Sequence, residues 1–232
     1  MSEKVVGILG GMGPDATVDL FQKILRATPA KRDQDHLRII IDCNSKIPDR
    51  TAHILRGEED PGPYLVSSAK LLEQAGVDVI AIPCNTAHYW HAQIQSSVKC
   101  RVLHMMELTA DSVVRRWPNI KTAGLLATPS TVKVGLYHRA FASRGIGVIA
   151  PDDEHQEMTT SAIFSVKAGD TGPAVRKLAV EAGEHLTARG AEVVVAGCTE
   201  VPLILKDGDI SVPLVDATQV LAEAVVRFAR GT

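Results

Sequence analysis

The sequence is poor in the features that mark secreted, membrane-bound or nucleic-acid-binding proteins. Its four cysteines, Cys43, Cys84, Cys100 and Cys198, include no C-x-x-C pair, so we expect no disulfide framework. Its 25 lysines and arginines are scattered, and the net charge is −2, which argues against nucleic-acid or membrane-surface binding. The first apolar run, VVGILGGMG, is too short for a signal-peptide core or a membrane span. We therefore expect a cytoplasmic protein with reduced thiols, a small-molecule ligand, and no nucleic-acid or membrane partner.

What the sequence does contain is an alternation of short β-branched runs with helix-length amphipathic stretches. This alternation predicts an α/β fold in which helices cover parallel sheets. The predicted strands are residues 5–9, 37–42, 77–82, 122–127, 148–150 and 192–196. The predicted helices are residues 17–26, 63–74, 107–116, 173–189 and 217–230.

An internal repeat divides the chain into two similar halves. Residues 75–86, AGVDVIAIPCNT, match residues 189–200, RGAEVVVAGCTE, so that Cys84 falls on Cys198. The run VVGILGGMGP from Val5 matches TAGLLATPST from Thr122 in the same order. The repeat predicts two similar, pseudo-symmetric lobes with parallel sheets, and a pseudo-twofold axis that sets Cys84 opposite Cys198. We assign residues 1–110 plus 211–232 to the N-terminal lobe and 111–210 to the C-terminal lobe, with the last helix closing the first lobe.

Two of the four cysteines lie where an α/β protein binds its ligand, at the carboxyl ends of parallel strands. Cys84 is followed by Asn85 and Thr86, and Cys198 by Thr199 and Glu200. Helix-terminus dipoles and hydrogen bonds in such a setting lower the pKa of a thiol. We interpret Cys43 and Cys100 instead as small buried hydrophobic residues.

The glycine-rich run GILGGMGPDA allows a second interpretation. Gly11-x-Gly13-x-x-Ala16 lies between a predicted strand and a predicted helix, as in a dinucleotide-binding fingerprint. The acid that would hold the ribose is Asp42, which lies too far from the motif for a good match. A tight turn near a small anionic substrate explains the same glycines.

Other candidate residues are ambiguous when each is taken alone. Residues 45–62 form a long polar segment with Arg50, whose planar fork suits a carboxylate. Lys167, read by itself, is a surface charge. His88 and His91 follow Cys84 at a spacing that matches no structural zinc site, so we expect no metal ligands; they are helix residues, with His88 at the rim of the site.

Five motifs together resemble those of the aspartate/glutamate racemase family, and most closely its aspartate racemases. The resemblance covers the whole chain, and its motifs are GGMGP, IPDRT, IPCNTAH, FSVKAG and AGCTE. It implies a fold of two Rossmann-like lobes with the active site in the cleft between them, chemistry without a cofactor, and a homodimer. It makes Cys84 and Cys198 the two acid/base thiols of a PLP-independent racemase. The residues that it implies around an acidic amino-acid substrate are Met12, Arg50, Asn85, Thr86, Lys167, Thr199 and Glu200.

Inversion of a stereocentre requires proton removal on one face and proton return on the other, which a pair of opposed cysteines provides. The expected reaction is the interconversion of L- and D-aspartate. Glutamate or broader amino-acid racemisation, hydantoin racemisation and maleate isomerisation on the same fold remain open. An NAD-dependent oxidoreductase and a non-catalytic acidic-ligand binding protein are alternatives from other functional classes.

Overall fold

The computed structural model describes residues 3–231, and in this range the chain forms two four-stranded parallel sheets. The strands are β1 Val6–Gly10, β2 Ile39–Cys43, β3 Val79–Ala81, β4 Arg101–Val102, β5 Thr122–Leu126, β6 Gly147–Ile149, β7 Val193–Ala196 and β8 Leu214–Asp216. The helices are α1 Pro14–Ala27, α2 Arg50–Arg56, α3 Gly62–Gln74, α4 His91–Ser97, α5 Met105–Arg116, α6 Pro129–Val134, α7 Leu136–Ala142, α8 Asp153–Lys167, α9 Pro173–Ala188, α10 Val201–Ile204 and α11 Ala217–Arg230. Short 3₁₀ helices cover Asp33–Asp35 and Thr86–Trp90.

The internal repeat is also present in the strand pairing. The first sheet has the order β2-β1-β3-β4 and the second the order β6-β5-β7-β8, which is the same arrangement. In the first sheet Val6 pairs with Val79, and in the second Ala123 pairs with Val193, which are the positions that the repeat aligns. The two halves therefore share strand order and register, and the predicted α/β fold is confirmed.

The predicted strands and helices all occur, with end shifts of up to three residues, but several short elements were missed. Strands β4 and β8 have two and three residues, too few for a visible periodicity. Helix α8 was missed as a whole because it buries polar Thr159 beside Ala162, Ile163 and Val166, which weakens its apolar stripe. It begins where the Asp152 side chain accepts a hydrogen bond from the backbone N–H of His155.

The part of the chain that the structure describes folds as two units. One unit runs up to Leu108 and resumes at Thr218, and the other is Thr109–Ala217. Strand β8, which we had assigned to the first lobe, pairs with β7 and belongs to the second unit. Helix α11 packs within the first unit, where the Lys4 N–H donates to the Ala229 carbonyl over 3.2 Å.

Each unit has its own hydrophobic cluster behind its sheet. The cluster of the first unit includes Leu9, Ile80 and Cys84, and that of the second includes Leu126, Val194 and Cys198. Each cysteine is therefore part of a packed core. Burial of each large apolar side chain in such a core stabilises the fold by about 1.5–3 kcal/mol. Within residues 3–231, no helix has both the length and the apolar content needed to cross a membrane.

Candidate active site

The glycine-rich turn after β1 is shaped by contacts inside the first unit. Gly11 has φ of +90°, and a Cβ there would lie 2.3 Å from the carbonyl carbon of Asn44. Its N–H donates to Thr17 Oγ1 over 2.9 Å, and the Thr17 hydroxyl donates to the Gly13 carbonyl over 3.0 Å. Close backbone packing therefore accounts for the glycine at position 11 without a dinucleotide.

Arg50 is placed by a short helix that sequence reasoning missed within residues 45–62. The Asp49 carboxylate accepts a hydrogen bond of 2.6 Å from the Ala52 N–H, and Gly57 ends α2 with φ of +69°. The polar segment is therefore not a continuous loop, and Arg50 is the first residue of α2. Helix α2 was missed because seven residues contain only two turns of periodicity.

The guanidinium of Arg50 is held mainly by backbone carbonyls of the turns around it. Nη1 donates to the Pro48 carbonyl over 2.9 Å, and Nη2 donates to the carbonyl of Met12 over 3.4 Å. Its Nε is buried and has no hydrogen-bond partner among the described residues. A buried N–H of a cation without a partner is costly, so this group is suited to an anionic ligand. Met12 itself is buried in the same cluster as Cys84.

Cys84 lies three residues beyond β3 and is only 6% exposed. Its N–H donates to the Ile82 carbonyl over 2.9 Å, and its own carbonyl accepts from Nδ1 of His88 over 2.9 Å. Asn85 and Thr86 are buried beside it at the start of the 3₁₀ helix. The loop end that carries the thiol is thus fixed by hydrogen bonds at the backbone.

His88 is buried between this loop and the start of α5, so the expectation that it lies at the rim of the site is wrong. It is 2% exposed, and its Nε2 accepts a hydrogen bond of 3.2 Å from the Met105 N–H. Nδ1 must therefore carry the proton that is donated to Cys84, so the ring is neutral. Burial, and secondarily His104, lower the pKa of His88 to about 3. Its role was missed because a lone histidine in a sequence gives no sign of its backbone partners.

Cys198 is the equivalent thiol of the second unit and is 7% exposed. Its Sγ donates a hydrogen bond to Glu200 Oε2 over 2.9 Å, and the Thr199 hydroxyl donates to the same oxygen over 3.2 Å. Burial and the Glu200 carboxylate raise the pKa of Cys198 well above its usual range, while the Lys167 ammonium partly opposes them. The expectation of a lowered thiol pKa is therefore wrong for Cys198.

Lys167 is the last residue of α8, and its side chain is near enough to influence Cys198. It is exposed, and its Nζ lies 5.5 Å from the ring centroid of Phe164 one turn earlier. Helix α8 contacts α10, which begins directly after Glu200. The second unit thus brings a cation, a thiol and a carboxylate into one neighbourhood.

A cluster of buried hydroxyls follows β5 in the second unit. Thr128 Oγ1 lies 3.0 Å from both Ser130 Oγ and Thr131 Oγ1, at the start of α6. These residues align with the glycine turn of the first half in the internal repeat. Hydroxyl groups at the carboxyl end of a strand can bind a carboxylate, and the repeat was the signal that located them.

The remaining two cysteines lie at opposite ends of the first sheet. Cys43 ends β2 and is exposed, so its interpretation as a buried hydrophobic residue is wrong. Cys100 is partly buried and precedes β4, at the amino end of the sheet and away from Cys84. None of the four cysteines forms a disulfide.

Each unit therefore presents a thiol with its own polar surroundings. In the first unit Asn85 and Thr86 follow Cys84 in the chain, Met12 packs in the same hydrophobic cluster as Cys84, and Arg50 donates to the Met12 carbonyl. In the second unit the groups around Cys198 are Lys167, Thr199 and Glu200. A buried thiol beside charge-stabilising groups is equipped for proton transfer to or from carbon.

Comparison with known proteins gives a consistent result. The sequence profile of Asp/Glu/hydantoin racemases matches residues 9–225. The chain is 27% identical over 232 residues to the broad-specificity amino-acid racemase RacX of Bacillus subtilis (strain 168), covering 96% of both chains.

Solved structures extend the comparison to the fold. An aspartate racemase of Picrophilus torridus superposes with a TM-score of 0.86 at 34% identity, covering 98% of this chain and 94% of that chain. An aspartate racemase homologue of Pyrococcus horikoshii superposes with a TM-score of 0.79 at 25% identity, covering 98% of this chain and 99% of that chain.

Proposed function

Because the chain belongs to the Asp/Glu/hydantoin racemase family, we propose that it interconverts L- and D-aspartate without a cofactor, using Cys84 and Cys198 as two acid/base groups. The observation that carries the proposal is the equivalence of the two thiols. Each follows the strand that pairs with the first strand of its half, in sheets of identical order and register. The proposal requires the two thiols to reach opposite faces of one substrate.

The protonation of Cys198 gives the order of the proton transfers. Since its Sγ donates to Glu200 and its pKa is raised, Cys198 begins as a thiol. In the direction of racemisation that starts from this state, we assign Cys84 the role of the base that removes the α-proton, and Cys198 gives its proton to the opposite face; in the other direction the two roles are exchanged. The carbon–hydrogen bond on one face is exchanged for one on the other, and the thiol and thiolate change places.

Donation by Cys198 leaves a thiolate beside the Glu200 carboxylate, which is unfavourable. The ammonium of Lys167 partly offsets this repulsion, because it lowers the pKa of Cys198, as does the hydrogen bond from the Glu200 backbone N–H. We therefore assign Lys167 two tasks, which are to attract a substrate carboxylate and to stabilise the Cys198 thiolate. Loss of its charge should reduce kcat as well as raise KM.

The chemical difficulty is the weak acidity of the α-proton. A difference on the order of 10 units between the pKa of the α-proton and the pKa of the thiol costs ~14 kcal/mol. A turnover near 10 per second tolerates a total barrier of only ~16 kcal/mol. Hydrogen-bond donors on the α-carboxylate of the substrate must therefore stabilise the developing negative charge.

The test is isotope exchange in deuterated water without added pyridoxal phosphate. L- or D-aspartate should lose optical purity and gain α-deuterium. Cys84→Ala and Cys198→Ala should each abolish racemisation, whereas Cys100→Ala, which removes a thiol at the opposite end of the first sheet, should retain it. Absence of exchange with both isomers, or full activity in either active-site variant, would overturn the proposal.

A broader substrate range is the second candidate, favoured by the similarity to RacX along nearly the whole chain. A side-chain carboxylate gives Arg50 a partner that a neutral amino acid does not. A panel of aspartate, glutamate and neutral amino acids separates the two candidates. Equal kcat/KM for aspartate and a neutral amino acid would replace aspartate specificity by the broader activity. Binding of aspartate without exchange would indicate a ligand-binding protein, and NAD binding measured by calorimetry an oxidoreductase.

A further inference from the structure

A second cluster of chemically active side chains lies at the other end of α8 from Lys167. It consists of Asp152, just before α8, His155 in the first turn of α8, and His185 in the last turn of α9. One ligand atom from each of the three residues lies within 4.8 Å of the others. Since α8 has 15 residues, the cluster is about 20 Å along the helix from Lys167 and is separate from the candidate active site.

A hydrogen bond and a ring stack hold the three side chains in contact. His155 Nδ1 lies 2.6 Å from Asp152 Oδ1, and the His155 and His185 rings stack with centroids 3.7 Å apart and 13° between their planes. The side chains of His155 and His185 are 23% and 16% exposed, while that of Asp152 is half exposed. The site is thus partly shielded but open to solvent on one side.

The His185 ring nitrogen Nε2 faces the Asp152 carboxylate. Its Nε2 is the acceptor of a long hydrogen bond of 3.5 Å from the Asp152 N–H, and it lies 3.4 Å from Asp152 Oδ2. A neutral imidazole nitrogen and a carboxylate oxygen both carry lone pairs, so their approach is unfavourable unless a positive charge lies between them. A bound cation or a proton on His185 provides that charge.

We propose that Asp152, His155 and His185 bind one divalent transition-metal ion, with Zn²⁺ as the best match. The ligand atoms are His155 Nδ1, His185 Nε2 and one Asp152 oxygen, and solvent completes the coordination. Tetrahedral Zn²⁺ with bonds of ~2.0–2.2 Å requires ligand atoms ~3.4 Å apart. The separation between Asp152 Oδ2 and His185 Nε2 already has this value. Metal binding requires the hydrogen bond between Asp152 Oδ1 and His155 Nδ1 to open and the stacked imidazole rings to rotate until both nitrogens point at the ion.

The donor set decides the class of metal. Two imidazoles and one carboxylate suit Zn²⁺, Co²⁺ and Ni²⁺, whereas Mg²⁺ and Ca²⁺ prefer oxygen ligands. The ion would join the beginning of α8 to the end of α9, two helices that pack against each other along their length. Its expected effect is therefore greater stability of the second unit, by preferential binding to the folded state. A metal site here was not predicted from the sequence, because His155 and His185 are 30 positions apart and lie on different helices.

Direct binding to tag-free, chelator-treated protein is the primary experiment. Calorimetry with ZnCl₂ should give one site per chain, and Co²⁺ should give visible d–d bands without the thiolate charge-transfer bands of a cysteine site. Absence of stoichiometric binding, or Co²⁺ bands that require cysteine, would overturn the proposal. These readouts do not depend on racemase activity, so they succeed or fail independently of the proposed function.

Matched variants assign the ligands. Loss of a residue that only supports a metal ligand typically weakens metal binding ~10- to 100-fold. His155→Gln and His185→Gln remove ligands themselves, so each should weaken zinc binding by at least this factor. Asp152→Asn should also weaken it while keeping a residue able to cap α8. His138→Gln, a partly buried histidine of α7 outside the cluster, should bind as the wild type does. Unchanged affinity in both cluster histidine variants would refute the assignment, as would protonation of His185 in metal-saturated protein measured by NMR.

Discussion

The buried imidazole below Cys84 makes the first unit sensitive to acid. His88 has a pKa of about 3 in the folded protein, against 6.5 for the ordinary side chain, with burial as the main cause. Between these values the unfolded chain binds a proton that the folded chain does not, so stability falls as the pH falls through this window. The full shift corresponds to about 5 kcal/mol, of which about 3 kcal/mol is lost between pH 7.5 and pH 4.5.

The perturbation is His88→Gln, which removes the titration but retains a polar side chain. The variant should be less stable at pH 7.5, because the hydrogen bonds with the Cys84 carbonyl and the Met105 N–H are disturbed. The free energy of unfolding of both proteins should fall between pH 7.5 and pH 4.5. The fall should be smaller in the variant than in the wild type, by about 3 kcal/mol, because the variant lacks the His88 titration. The comparison of the two pH dependences thus isolates the ionisation of His88 from the contact energy.

Urea unfolding measures this difference in the unit concerned. The chain has two tryptophans, and Trp90 is buried in the first unit, so a Trp117→Phe background leaves a fluorescence signal from that unit alone. Parallel pH dependences of wild type and His88→Gln would refute the assignment of a neutral, buried His88. NMR titration of the wild-type ring gives a second measurement, and a His88 pKa near 6.5 would refute it equally.

Three further predictions concern the turn, the second thiol and the cation. Gly11→Ala should destabilise the first unit by ~2–4 kcal/mol, because its Cβ would clash with the Asn44 backbone at positive φ; urea unfolding checks this, and unchanged stability would contradict the packing explanation. Glu200→Gln should lower the pKa of Cys198 and speed its alkylation at pH 8, as followed by mass spectrometry, and a slower reaction would contradict the stated cause. Arg50→Lys should raise KM for aspartate about tenfold or more while a neutral amino acid is little affected, and equal effects on both would dismiss its recognition of the side-chain carboxylate.

The equivalence of the two halves followed from a repeat that is visible in the sequence, whereas the strand order within each sheet came from the structure. The match of residues 75–86 with 189–200 repeats a strand, a thiol and a polar end, and a parallel sheet places equivalent strands in equivalent positions. The α/β class followed from the alternation of apolar runs with amphipathic stretches, since those two periodicities are properties of neighbouring residues. For the same reason the short strand β4 and the helix α2 were missed, because neither is long enough to show a period.

The sequence by itself determined the fold class, the repeat and the two thiols at the carboxyl ends of equivalent strands. Only the tertiary structure decided that Cys198 is held as a thiol by Glu200, that His88 lies beneath Cys84 as a neutral ring, and that Asp152 meets His185. These properties depend on desolvation and on contacts between side chains remote in sequence, or on their orientation within a turn. A thiol's pKa is set by the charges and solvent around it in three dimensions, and the spacing of residues along a chain does not contain them.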